Sequence, residues 1–220
     1  VHERVEVQLA RDPRAGAGGE LHLDRQGHAR VLHGQEAAAV GERKAREAVD
    51  GVAYAQKSFK ALETPVWANL SAEGRLSDVV VFNDEPGRGR GPLSEAFQEI
   101  LADEQRPVII ARPGLKVGGV VCVAWDGGKE ASRAARQSVP LLQKAERVVI
   151  LTAPRATTRA LDPGRLQAYF AARGIQSETE VLPDSGEAAP LLLYAANYAG
   201  AVGLVAGGFG HPRLQEFIFG

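Results

Sequence analysis

Ala201-Val-Gly-Leu-Val-Ala-Gly-Gly-Phe-Gly-His-Pro-Arg-Leu-Gln-Glu-Phe-Ile-Phe-Gly220 is the stretch from which the rest of the chain is read. Residues 202–206 are an apolar run of the kind that forms a short buried strand. The run enters Gly207-x-x-Gly210 and then a segment that reads as a helix. A backbone that turns sharply and lies close to a ligand calls for glycine, which has no Cβ to clash. A helix starting there directs its free N–H groups and the positive end of its dipole at whatever lies over the loop. Gly220 completes G-x2-G-x9-G, a more specific pattern than a glycine pair alone. No P-loop lysine accompanies it, so this is not a Walker A motif.

Upstream of that loop, strand-like and helix-like segments alternate. Strands are predicted at 119–124, 147–152, 175–182 and 202–206, with helices at 130–145, 163–173 and 186–198. Such alternation argues for a parallel sheet with helices on both faces. The 147–152 strand has no polar residue in its middle, whereas 175–182 alternates polar and apolar and belongs at or near an edge. Asp162 is placed to cap the 163–173 helix, Pro163 to open it and Gly174 to stop it. Ligands of open parallel sheets lie outside the carboxyl ends of the strands. Residues 124–127 and 207–211 are therefore expected to face one crevice.

A chain of 220 residues is long enough for one large domain or two small ones. Its formal net charge of -1 gives no field that draws it to nucleic acid or to a membrane. Hydrophobic residues make up 45%, which argues against disorder. The single cysteine, Cys122, has no partner for an internal disulfide and reads as a small buried hydrophobe. No apolar run approaches the roughly 20 residues that span a bilayer, and no charged-then-apolar leader opens the sequence. The expected location is the cytoplasm. The sequence contains no methionine, which points to a trimmed chain, and a further strand is expected after Gly220.

The first half is less regular. Residues 4–9, 20–23 and 29–32 read as short strands or a hairpin. His22, His28 and His33 have no further ligand at a supporting spacing and read as surface residues rather than a metal site. Residues 35–62 read as a long helix ended by Thr64-Pro65, then 65–69 and 76–82 as strands. Too few residues separate those two strands for a parallel crossover. The glycine-rich segment 83–92 carries Asp84 and Glu85, which repel phosphate, and Arg88 and Arg90, which suit an anion; it reads as a surface loop. A helix at 93–103, a strand at 107–111 and the turn residues Arg112-Pro-Gly-Leu place a boundary between domains 1–113 and 114–220. Residues 78–82 and 202–206 match as apolar runs, each followed by glycines and a helix, which suggests a tandem repeat.

G-x2-G-x9-G, with Val120-Val-Cys-Val-Ala-Trp-Asp126-Gly-Gly and Ser132-Arg-Ala-Ala-Arg-Gln-Ser-Val-Pro-Leu-Leu, resembles the universal stress proteins over residues 118–220. The resemblance implies an α/β fold of two tandem Rossmann-like domains, the first degenerate. Each would be an open, mostly parallel sheet with helices on both faces. It implies a stress-response binding protein taking ATP or AMP, with Mg²⁺ accompanying ATP and no other metal. By the same resemblance Asp126 approaches the adenine, and Ala124, Thr152 and Ala153 line the crevice and base pocket. The backbone of Gly207, Gly210 and Gly220 carries the phosphates, with His211 and Pro212 in the first turn of the helix behind them. The partners implied are nucleotide and a homodimer, or a pseudo-dimer within one chain.

Two other classes compete. One is an interaction module of the same fold that binds no nucleotide. The other is an enzyme of the wider adenine-nucleotide α-hydrolase-like group, which needs a Ser-Gly-Gly-x-Asp-Ser loop after the first strand. Asp126-Gly-Gly-Lys-Glu-Ala-Ser132 shares only the glycines of that loop. No G-x-S-x-G elbow or zinc-ligand spacing occurs, so catalysis is not expected.

Overall fold

The structure, a computed structural model, describes residues 4–10, 20–23, 29–32, 39, 42–44, 46–47, 56–62, 65–112, 116, 118–153, 162–183 and 188–208. Contacts divide the chain into two compact units, Val1–Asp78 with Arg90–Arg106, and Val79–Gly89 with Pro107–Gly220.

The first unit opens with β1 (Arg4–Ala10), followed by the antiparallel pair β2 (Glu20–Leu23) and β3 (Ala29–Leu32). β4 (Gln56–Leu62) runs parallel to β1, with Arg4 opposite Gln56 and Ala10 opposite Leu62. The long helix expected over 35–62 is thus corrected at its end. Residues 39, 42–44 and 46–47 are helical, but 56–62 pairs as a strand. Lys, Gln, Ala and Leu are good helix formers, and here strand pairing overrides that weak local preference.

The strand expected at 65–69 is a helix, α1 (Val66–Gly74). Pro65 sits at its N-cap, where a missing N–H costs nothing. Leu70, Ser71 and Gly74 are buried at helical spacing. This removes the crossover difficulty, because a helix stands where two strands were expected in close succession.

β5 (Val80–Phe82) and α2 (Asp84–Gly87) belong to the second unit. α2 is a helical turn inside the expected surface loop, closed by an Arg88–Asp84 ion pair of 3.2 Å. α3 (Ser94–Ala102) lies in the first unit, burying Ala96, Phe97 and Ile100. It packs with α1, and Glu104 just beyond it ties the two together. The Glu104 carboxylate accepts from Ser71 Oγ at 2.9 Å and from Arg75 Nε at 2.8 Å. Those two donors hold the Glu104 carboxyl below the usual range, while Glu99, desolvated and facing Asp103, is pushed up.

In the second unit β5 pairs in parallel with β6 (Val108–Ile110). The remaining elements alternate as the sequence predicts. They are β7 (Val120–Ala124), α4 (Lys129–Gln137), α5 (Val139–Leu142), β8 (Arg147–Thr152), α6 (Pro163–Ala171), β9 (Ser177–Val181), α7 (Ala188–Tyr198) and β10 (Gly203–Val205). The strands form a parallel sheet of order β10-β7-β8-β9. The helix expected over 130–145 is divided at Ser138, ahead of Pro140 near the start of α5. α6 follows its sequence signals closely. Asp162 accepts from Gly164 N–H at 2.8 Å, Pro163 stands in the first turn, and Gly174 ends the segment at φ 74°.

Alternation along the strands makes two cores, one on each face of the sheet. Val123, Trp125, Val148 and Ile150 pack with Ala131 and Ala135 of α4, Leu142 of α5 and Phe170 of α6. Cys122, Ala124, Val149 and Leu151 pack with Leu192, Ala195 and Ala196 of α7. Cys122 is fully buried, and burial pushes its thiol pKa up, as suits a packing residue. β9 is an edge strand, as its alternating sequence predicts, and Glu178 on it pairs with Arg147 of β8 at 2.9 Å. Each unit also holds one tryptophan: Trp67 on α1 is 40% exposed, and Trp125 at the end of β7 is 8% exposed.

Candidate functional site

β7 lies between β8 and β10, and all three run parallel, so their carboxyl ends meet at one edge. The chain leaves β7 toward β8 and later returns on β7's other side as β10. That change of direction is where open parallel sheets leave a crevice.

Pairing continues one residue past β7, through Trp125 N–H donating to the Leu151 carbonyl at 2.8 Å. The chain then turns at Asp126, whose Oδ1 accepts from Gly128 N–H at 2.7 Å. This short side-chain bond mimics a backbone turn and sets Gly128 as the N-cap of α4. Ser132 Oγ donates to the Gly128 carbonyl at 2.7 Å and fastens the turn from the helix side. Lys129 and Glu130 open α4 and pair with each other at 3.5 Å.

Ala124 and Ala153 project into the core beneath α7. They support the edge from below, and their side chains lie in that packing. Thr152 ends β8, and its Oγ1 is buried without a hydrogen-bond partner among the described residues.

Gly207 follows β10, and its neighbours explain why it is glycine. A Cβ there would lie 2.8 Å from Ala131 N and 2.9 Å from the Glu130 carbonyl carbon. Both are backbone atoms of the first turn of α4, so no side chain fits without moving the helix. The sequence pattern points to this glycine; its pressing on α4 is not readable from the pattern.

The structure therefore brings Asp126, Thr152 and Gly207 to one edge. Gly210, His211 and Gly220 lie outside the described residues. Among the described residues no three His, Cys, Asp or Glu side chains come together as a metal site, and no helix is long and apolar enough to cross a membrane.

No family model and no curated protein matches the chain. Among solved structures, a protein of the universal stress protein family from Burkholderia pseudomallei aligns at 21% identity and a TM-score of 0.36. That alignment covers 49% of this chain and 90% of that one. A universal stress protein from Archaeoglobus fulgidus DSM 4304 aligns over 86% of this chain and 74% of its own, at 17% identity and a TM-score of 0.53. The chain has the universal stress protein fold. On that fold, the Asp126 turn and the Gly207 loop stand beside each other because β7 and β10 are hydrogen-bonded neighbours, Val121 opposite Gly203 and Val123 opposite Val205. The α/β architecture with parallel strands and helices on both faces is as the sequence predicts.

Proposed function

We propose that this chain is a universal stress protein of tandem type, with domains 1–113 and 114–220, and that its crevice holds ATP or AMP. The observation that carries the reading is the meeting of Asp126, Thr152 and Gly207 at the carboxyl edge of β7, β8 and β10. G-x2-G-x9-G supports it from sequence, with Gly210, His211 and Gly220 at the phosphate end and Mg²⁺ accompanying ATP. In this reading the protein acts by binding, in the cytoplasm, as a homodimer or as a pseudo-dimer of its two domains.

One observation favours a second reading, an interaction module of the same fold that takes no nucleotide. Gly207 is already required by the first turn of α4, so a glycine there is not by itself a sign of a ligand.

The test must therefore leave Gly207 alone. Nucleotide released from the denatured parent is identified by ion-exchange chromatography, and ATP and AMP are titrated into the parent, Asp126→Asn and Gly210→Val. Asn keeps an oxygen to accept from Gly128 N–H while removing the charge. Bound or titratable nucleotide that weakens at least tenfold in either variant is expected. No release and no binding at millimolar ATP would leave the module reading standing.

A further inference from the structure

Four buried side-chain polar atoms among the described residues lack a hydrogen-bond partner: Arg106 Nε, Thr152 Oγ1, Ser177 Oγ and Thr179 Oγ1. The three hydroxyls share one place. Ser177 lies opposite Val148, Thr179 opposite Ile150, and Val181 opposite Thr152. Residues paired across a sheet point to the same face, as do residues two apart along a strand. Val148 and Ile150 belong to the core that α6 covers, so all three hydroxyls lie on that side. Gln167 of α6 reaches across to β9, but its Nε2 donates to the Ser177 carbonyl at 3.1 Å.

The same alternation sends the nearest charges, Arg147, Glu178 and Glu180, to the opposite face, where Arg147 and Glu178 pair at 2.9 Å. On its β9 side the seam between β9 and α6 thus carries a row of hydroxyls and no charged side chain. That strand face offers no charge to hold a phosphate or a cation. Hydroxyls both donate and accept, so they suit a small neutral guest that does the same.

We infer that this seam is a hydration site, a short row of ordered waters between β9 and α6 that joins Ser177, Thr179 and Thr152. Residues two apart on a strand are about 6.6 Å apart, roughly the reach of two hydrogen bonds through one water. Buried hydroxyls left unserved are rare in native proteins, and internal waters usually serve them. At its upper end the row reaches the carboxyl edge of the sheet at Thr152, beside Val181, which is 64% exposed.

The test is the sign of a stability change. Thr179→Val keeps the shape of the side chain and deletes the hydroxyl. In a hydrated seam it removes a hydrogen bond and lowers Tm by about 2–4 °C, and Ser177→Ala moves Tm the same way. In a dry seam, deleting a stranded hydroxyl leaves Tm unchanged or raises it, which overturns the inference. A high-resolution crystal structure of the parent reads the same point directly. Water bonded to Thr179 Oγ1 and to either neighbouring hydroxyl is the expected result; hydroxyls turned onto backbone carbonyls, with no water between, would refute it. Neither measurement depends on whether nucleotide binds.

Discussion

A side chain at position 207 would press on the Ala131 nitrogen and the Glu130 carbonyl carbon, while one at Gly203, four residues earlier, would meet nothing within 4 Å. Overpacking a tight site typically costs about 1–3 kcal/mol. Gly207→Ala is therefore expected to lower Tm by several degrees in a thermal melt, and Gly203→Ala to leave it nearly unchanged. Equal losses in both would show that the approach to α4 is not what fixes Gly207. Two glutamates of the first unit give a second residue-scale expectation, with opposite signs. Glu104 is held low by Arg75 and Ser71, so its contribution is full above the ordinary glutamate pKa and is lost as pH falls through its lowered value. Glu99 is raised by desolvation and by Asp103, so its charged form is a burden at neutral pH that lifts as pH falls through its raised value. Across a Tm–pH series, Glu104→Gln should lose stability at neutral pH and flatten the acid fall, whereas Glu99→Gln should gain at neutral pH. Matching profiles for both variants would contradict this assignment.

At the scale of elements, the second half of the chain was legible because each segment carries its own signals. The 147–152 strand is apolar through its middle, the edge strand alternates, and Asp162, Pro163 and Gly174 bracket α6. The cap is open to test. Asp162→Ala should cost about 1 kcal/mol, read as a fall in Tm, because Gly164 N–H loses its acceptor. An unchanged Tm would mean that the first turn of α6 is held by packing alone. The first half was less legible for physical reasons. Val66, Trp67 and Asn69 carry no strong helical preference, whereas the helix formers Leu70, Ala72 and Glu73 and the buried side of Leu70, Ser71 and Gly74 lie beyond the 65–69 window. Gln56–Leu62 is built largely of helix formers, and its parallel pairing with β1 is a long-range contact that no local window contains.

For the molecule as a whole, the candidate site was legible only as far as its strands allow. Asp126 and Thr152 could be placed because apolar strands lead straight into them. The closeness of Gly207 to α4 depends on a crossing of backbones, which composition does not record. If the proposed nucleotide binds, mass action stabilises the folded chain by about 2.7 kcal/mol at a hundredfold excess over Kd. ATP or AMP should then raise Tm by several degrees in a concentration-dependent way, and a Tm unmoved by millimolar nucleotide favours the interaction module.

The placement of the two tryptophans gives the molecule an optical label in each compact unit. Trp125, buried in the core of the second unit at 8% exposure, should emit at shorter wavelength than Trp67, which is 40% exposed. Trp125→Phe leaves a tryptophan only in the first unit and Trp67→Phe only in the second. If denaturant melts the two signals together, the units unfold as one cooperative body; if the midpoints separate, each half of this chain keeps its own stability.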